Sequence, residues 1–370
     1  MINEERLVER FLEYIQIDSP TKEELEFANF IKGELEKLGL EVYMDDAGKD
    51  VGSNAGNIIG RLKGNPNGTP ILFSCHMDTV SPGRGIKPQI KEGIISSDGT
   101  TILGADNKAG IAAILEAIEI IKEKNLDHGD IEVVFSIFEE GGLYGAKGLD
   151  YSKFNAKKAF VMDSGGEPGT IIYKGPAQNK MNIKFIGKEA HAGVAPESGV
   201  SAIVMAAEAI SNMKLLRIDE ETTANVGIIQ GGSATNVVTP VVVLEAEARS
   251  LDNNKLKVQT DHMVNCCNEA AEKFKGKVEI DVDHTYDAFE VSLDHELIED
   301  VKAANEILGF NTITVTSGGG SDTNIFNANG ITAINLAIGE MAPHTLEEHI
   351  YIKDLVNSSK LALELMKLNA

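Results

Sequence analysis

Four short runs of continuous apolar residues constrain the fold of this chain more than any other feature: NIIGRL (57–62), PILFSC (70–75), IEVVFSIF (131–138) and KAFVMD (158–163). Hydrophobicity that does not alternate marks strands buried on both faces, and such strands belong to sheets covered by helices above and below. Helical patterns lie before and between them. Apolar residues recur at three- and four-residue spacing over 3–16 and 23–38, the second ending at Gly39, and again around 108–124. The alternation predicts an α/β domain with a mostly parallel sheet flanked by helices.

Near residue 175 the pattern changes. NKMNIKFIGK (179–188) reads as a strand, 201–214 as a helix, 224–232 and 239–250 as strands, 252–274 as a helix and 277–286 as a strand. The order β-α-β-β-α-β is that of a small sheet with helices on one face. After residue 288 the α/β character returns, with helices at 293–308 and 352–368 and strands at 312–317 and 331–339. The chain therefore reads as a larger domain, 1–175 and 288–370, interrupted by an inserted domain, 176–287. At about 150 residues per domain, the length of 370 suits two domains.

Charge and cysteine content narrow the function. With 34 basic and 57 acidic side chains the formal net charge is −23, which does not favour phosphate backbones or anionic lipid, so neither nucleic acid nor membrane is an expected partner. No stretch approaches about 18 uncharged apolar residues; GIAAILEAIEII is broken by Glu116 and Glu119. The N-terminus lacks an apolar signal core, and the 3 cysteines, Cys75, Cys266 and Cys267, suit a reducing compartment. A cytoplasmic protein is expected.

Residues of ligand type gather at the C-terminal ends of the expected strands, the edge where open α/β sheets carry their sites. In FSCHMDTV (73–80), His76 follows the apolar run and Asp78 stands two residues on, a spacing that suits a metal-ligating imidazole with a carboxylate behind it and equally suits a hydrogen-bonded loop pair. In TTILGADNKAG (100–110), Asp106 stands at a glycine-containing entry to a helix, as a ligand or as an N-cap. In FSIFEEGG (135–142), Glu139 and Glu140 follow a buried strand; neighbours on extended chain point to opposite sides, so one could face a cation and the other a substrate. Asp163 ends the run of 158–163, and His344 sits in GEMAPHTLEEH (339–349) after another apolar run. Each segment alone has a bland reading as turn chemistry. Together they supply the histidines and carboxylates of a site for paired divalent metals, zinc first, with cobalt and manganese as alternatives.

In chain order HMDT, GADNKAG, EEGG, a strand ending MDSGG and a late PHT with Glu two residues beyond the Thr resemble the co-catalytic zinc peptidases and deacylases, the family of peptidase T, carboxypeptidase G and acetylornithine deacetylase. The likeness spans almost the whole chain and is nearest to the peptidase T-like, tripeptide aminopeptidase branch. It implies that His76, Asp106 and Asp163 hold one metal, and that Asp106, Glu140 and His344 hold the other. It further implies that Glu139 is the general base, that Asp78 orients His76, and that the peptide between Asp106 and Asn107 is cis. In the inserted domain it implies a lid and dimer interface. There His191 would stabilise the oxyanion in a partner's site, Asn236 and Arg249 would bind a substrate carboxylate, and the glycine-rich SGGGSDTN, with Gly319, would line the cleft. The activity implied is removal of the N-terminal residue of short peptides by a water held between two zinc ions. A deacylase or carboxypeptidase-like hydrolase of N-acyl amino acids is the alternative on the same site, and a non-catalytic metal-binding scaffold a remoter one.

Overall fold

The run PILFSC and its neighbours become strands buried residue by residue in the computed structural model, which describes residues 2–370. In chain order the strands are β1 (Glu41–Met44), β2 (Ile58–Leu62), β3 (Ile71–His76), β4 (Gln89–Lys91), β5 (Ile94–Ser96), β6 (Ile131–Ser136), β7 (Lys158–Ser164), β8 (Thr170–Gly175), β9 (Ala177–Ile186), β10 (Leu216–Arg217), β11 (Thr222–Gly231), β12 (Val241–Ser250), β13 (Lys277–Tyr286), β14 (Phe289–Glu290), β15 (Ile313–Thr316), β16 (Thr332–Ala337), β17 (Glu340–Met341) and β18 (His349–Tyr351). The helices are α1 (Glu4–Gln16), α2 (Leu25–Lys37), α3 (Ala105–Lys124), α4 (Tyr144–Lys147), α5 (Ala202–Asn212), α6 (Asn253–Lys273), α7 (Glu296–Leu308), α8 (Asp322–Ala328) and α9 (Ile352–Leu368). Two compact units emerge: one of residues up to Lys174, Glu290–Thr316 and Ser321–Ala370, the other of Gly175–Phe289 with Ser317–Gly320.

In the first unit the main sheet runs β1-β2-β6-β3-β7-β16-β8, with β15 also paired to β8. The four central strands β6, β3, β7 and β16 are parallel; antiparallel pairs lie outside them. Helix α3 lies against β3 and β7 and packs on α1 and α9. Gly110 permits that approach: a Cβ there would stand 2.6 Å from Cys75 Sγ and 2.6 Å from the Met162 carbonyl oxygen. Glu116, which interrupts the apolar pattern of α3, is fully buried and takes Arg6 Nε at 2.7 Å and Arg10 Nη1 at 3.1 Å, tying α1 to α3. A smaller sheet, β17-β18-β5-β4, completes the unit. Among the described residues no helix is long and apolar enough to cross a membrane.

The second unit has the β-α-β-β-α-β order with the two-residue β10 added. Its sheet runs β10-β11-β12-β9-β13, antiparallel throughout. Alternation along β9 and β12 buries Met181, Ile183, Phe185, Val242 and Leu244 in one cluster with Met205 of α5 and Met263 and Cys267 of α6. Asn182, Lys184 and Glu245 are exposed on the same strands.

Candidate metal centre and active site

Period-two alternation decides which side chains meet at the end of the first unit's sheet. Leu72, Val134, Ala159, Val161 and Ala333 share one cluster with Phe326 of α8. Two or four residues further along their strands, the same face carries His76, Ser136, Asp163 and Asn335, at or near the C-terminal ends of the four parallel strands. Asp106 arrives from the start of α3. Gly104 takes a left-handed φ of 75°, Asp106 and Asn107 are not yet helical, and the peptide between them is cis, as the resemblance implied.

Asp106 divides its carboxylate between two histidines. Its Oδ1 lies 2.8 Å from His76 Nε2, and its Oδ2 lies 3.0 Å from His344 Nε2. His76 Nε2 is also 3.4 Å from Asp163 Oδ1, and His344 Nε2 is 3.0 Å from Glu140 Oε1. The five residues therefore fall into two sets that share Asp106. Ligand atoms of His76, Asp106 and Glu140 all lie within 4.8 Å of one another, and the buried Glu140 Oε1 makes no well-directed hydrogen bond. Converging imidazoles and carboxylates, with the buried Glu140 Oε1 met only by an off-axis approach of His344, fit divalent cations better than they fit a hydrogen-bonded core.

Burial opposes charge on His76, yet Asp163, Asp106 and Asp78 outweigh it and hold the ring protonated well above the ordinary imidazole range. The Asp106 and Glu140 carboxylates, both 3.0 Å from its Nε2, raise His344 to about 10. Burial pushes Asp106 up, but the two rings overcome it and keep the carboxylate below its usual range. Burial raises Glu139, Glu140 and Asp163, Glu139 most of all with Asp163 nearby. Protons and cations compete for the same lone pairs here, so cation binding releases protons.

Glu139 and Glu140 sit in a turn whose backbone is held from below. Their N–H groups donate to Asp78, at 2.9 Å to Oδ1 and 3.3 Å to Oδ2, and Thr21 Oγ1 donates to the same carboxylate at 2.8 Å. The nearest partner of His76 Nδ1 is the Asp78 backbone carbonyl, at 2.8 Å; the Asp78 carboxylate is 3.5 Å away. Asp78 thus contacts the ring chiefly through its main chain and spends its side chain on the glutamates. Phe138 N–H, in a residue with φ of 47°, donates to the buried Glu24 at 3.1 Å.

Five further residues of this unit were not singled out from the sequence. Glu348, fully inside, accepts the backbone N–H groups of Leu103 (2.8 Å), Gly104 (2.9 Å) and Asp106 (3.0 Å). Ser136 Oγ donates to Asp322 Oδ2 at 2.5 Å, while Asp322 Oδ1 is buried without a partner and burial lifts this acid to about 7. Glu340, raised well above its ordinary range by burial and then by Asp106, also keeps a buried oxygen without a partner. Asn335 holds the backbone of Asp163. The LEEH tetrapeptide carried a faint signal for one of them: Glu347, two residues past Thr345, is exposed, and its neighbour Glu348 is the buried one.

The second unit holds the other expected residues. His191 is exposed; the loops 190–192 and 236–238 are stitched by Ala192 N–H to Asn236 O and Val238 N–H to Ala190 O, both at 2.9 Å, which brings His191 and Asn236 together. Arg249 forks onto Glu247 at 3.0 and 3.1 Å and reaches the Gly318 carbonyl at 3.4 Å, beside Gly319. Segment 317–320 accordingly groups with this unit.

A model of the family described as Peptidase family M20/M25/M40 matches residues 72–368. The Bacillus subtilis protein YqjE is 44% identical over 367 residues, covering 99% of each chain. Two solved structures are alike over nearly their full lengths. An aminopeptidase PepT from Bacillus cereus shares 45% identity with a TM-score of 0.91, over 99% of this chain and 98% of that one. A tripeptidase from Staphylococcus aureus shares 41% identity with a TM-score of 0.96, over 100% and 99%.

Proposed function

The chain belongs to peptidase family M20/M25/M40, and from that premise we propose that it is a two-metal aminopeptidase of tripeptidase type, removing the N-terminal residue of short peptides. The observation that carries the reading is the split Asp106 carboxylate, one oxygen toward each histidine, with Glu139 in the turn beside it. The aminopeptidase and tripeptidase among the similar structures support the choice of substrate. His76, Asp106 and Asp163 would hold one ion and Asp106, Glu140 and His344 the other; nitrogen and oxygen donors of this kind favour zinc, with cobalt or manganese able to replace it. When bound, the ions supply a water of lowered pKa and a Lewis-acid contact for the scissile carbonyl.

The chain's own residues do the rest. Glu139 takes the proton of the attacking water and hands it to the leaving amine; its burial beside Asp163 raises its proton affinity and so makes it a carrier as well as an acceptor. Asp78 keeps Glu139 in place through the backbone bond described above. In the second unit, Gly193 N–H donates to His191 Nδ1 at 3.2 Å, which leaves Nε2–H free as a donor to a developing oxyanion. Arg249 with Asn236 would take a terminal carboxylate, with Gly319 at the wall. A homodimer through the second unit is part of the reading. Ile228 and Ile229 are 39% and 57% exposed on β11, beyond its two-residue pairing with β10, and Ile203 and Val204 are 45% and 46% exposed on α5. Three free thiols suit the cytoplasm.

Replacing Glu139 by Gln tests the mechanism. Turnover is expected to fall about 10²–10⁴-fold while metal content stays at the wild-type value; an active variant removes Glu139 from the role. A panel of tripeptides set against N-acetylated amino acids tests the substrate class, and cleavage of the acetylated set alone gives the site to a deacylase.

A further inference from the structure

β7 and β16 pair in parallel with Thr332 opposite Lys158 and Asn335 opposite Val161. Past Asn335 the register slips, and Ala337 faces Ser164, so that β7 carries an extra residue within the slip. Asp163 lies there. A slip of this kind leaves backbone groups without ladder partners. The Asn335 side chain takes both of Asp163's: its Oδ1 accepts Asp163 N–H at 3.0 Å, and its Nδ2 donates to the Asp163 carbonyl at 2.7 Å. A primary amide is suited to this because it offers an acceptor and donors in one rigid plane, as a neighbouring peptide would. Asn335 is itself buried and fixed by a further bond from Nδ2 to Ser321 Oγ at 3.3 Å. Asn107 Nδ2 donates to Asp163 Oδ1 from the other side.

We propose that Asn335 is a positioning residue: it repairs the ladder at the bulge, aims the Asp163 carboxylate, and sets the affinity of the one ion that Asp163 shares with His76 and Asp106. The inference rests on the two-ion reading above. It assigns no part to Asn335 at the ion held by Glu140 and His344, because Glu140 is fastened through Asp78 instead.

The test is titration of the metal-free chain with Co²⁺, followed by calorimetry and by the visible absorption of the bound ion, for wild type, Asn335→Leu and Asn335→Asp. The leucine removes both bonds at similar volume; the aspartate keeps the acceptor for Asp163 N–H and decides the matter if the leucine chain does not fold. Wild type is expected to take up two ions. In the variants one affinity falls by about 10–100-fold and the absorption of that ion changes, while the other ion binds as before. Equal weakening of both ions overturns the proposal. So does a lowered melting temperature with both affinities intact, which is what a purely structural residue gives. A wild-type chain that binds fewer than two ions overturns the two-ion reading itself, and the proposal with it.

Discussion

Two carboxylates of the site answer to opposite forces. Asp106 lies between two imidazoles whose hydrogen bonds keep it ionised despite burial, while Glu139 has only the weaker pull of His76, and burial with Asp163 nearby raises it. In the proposed mechanism one acid would hold cations and the other carry a proton, a division of labour set by surroundings rather than by residue type. Burial acts on the thiols in the same way: Cys267 is lifted to about 12, and Cys75 well above its ordinary range. At pH 8 the thiolate fraction of Cys267 is then about one in 10⁴. Both thiols are expected to stay unreacted with an aromatic disulfide reagent in the native chain and to appear only in guanidinium; prompt native labelling of either contradicts the burial argument. His76 and Asp163 were legible in the sequence because each ends a largely apolar run. Asn335, Asp322 and Glu348 were not. Asp322 and Glu348 stand among serine, threonine and other charged residues, which read as turn chemistry, while Asn335 is a single polar residue between Ile334 and Leu336 in an apolar run; only the folded register shows what they touch.

At the scale of elements, the start of α3 is governed from a distant part of the chain. Glu348, at the edge of β18, closes three N–H groups that precede or open the helix, and so fixes the segment that presents Asp106. Glu348→Ala leaves those donors buried without an acceptor. Each hydrogen bond to a charged group contributes about 1.5–3 kcal/mol, and because the three share one carboxylate the expected loss in urea unfolding of the metal-free chain is about 3–5 kcal/mol. A change below about 1 kcal/mol, the scale of ordinary surface substitutions, returns Glu348 to the role of spectator. The reading of a helix from about 108 agrees with the geometry, since Asp106 and Asn107 have non-helical φ and ψ. The strands β4, β5, β17 and β18 escaped notice for a physical reason. They are two or three residues long and partly exposed, too short for a period to show. The strands β3, β6, β7, β9, β11, β12, β13 and β16 were legible because burial imposes continuity or alternation over six residues or more. By contrast β8, of the same length as the shortest of them, is half-buried at Thr170, Tyr173 and Lys174, follows neither pattern and was missed.

For the whole molecule, the site couples stability to pH and to metal. In the metal-free chain His344 keeps its proton to about 10, against about 6.5 when unfolded. Between those values the folded state holds more protons, so its contribution to stability is complete below about 6.5 and is lost as pH rises. Glu139 and Glu340, raised well above their ordinary range by burial, act in the same direction, and so does His76, held protonated by the carboxylates around it. Lys108, lowered to about 7 by burial, acts in the opposite direction from there to its unfolded value. One group against several leaves a net decline. The melting temperature of the metal-free chain is expected to fall between pH 6.5 and 9, and saturating Zn²⁺ to restore it most at the alkaline end. A melting temperature that rises across that interval without metal contradicts the balance of charges.

The reach of Glu348 also has a consequence for how the protein is made. It lies 245 residues beyond Leu103, whose N–H it accepts. At about 5–20 residues per second of synthesis, the segment bearing Asp106 leaves the ribosome roughly 12–50 s before its acceptor exists. His344, needed by one of the two proposed ions, emerges just as late. A chain broken off upstream of these residues can form much of the sheet, but it cannot fasten that loop or close around both cations. Capture of the second cation would then mark a chain that has reached His344, and the stabilisation that ion brings would be withheld from any fragment ending before it.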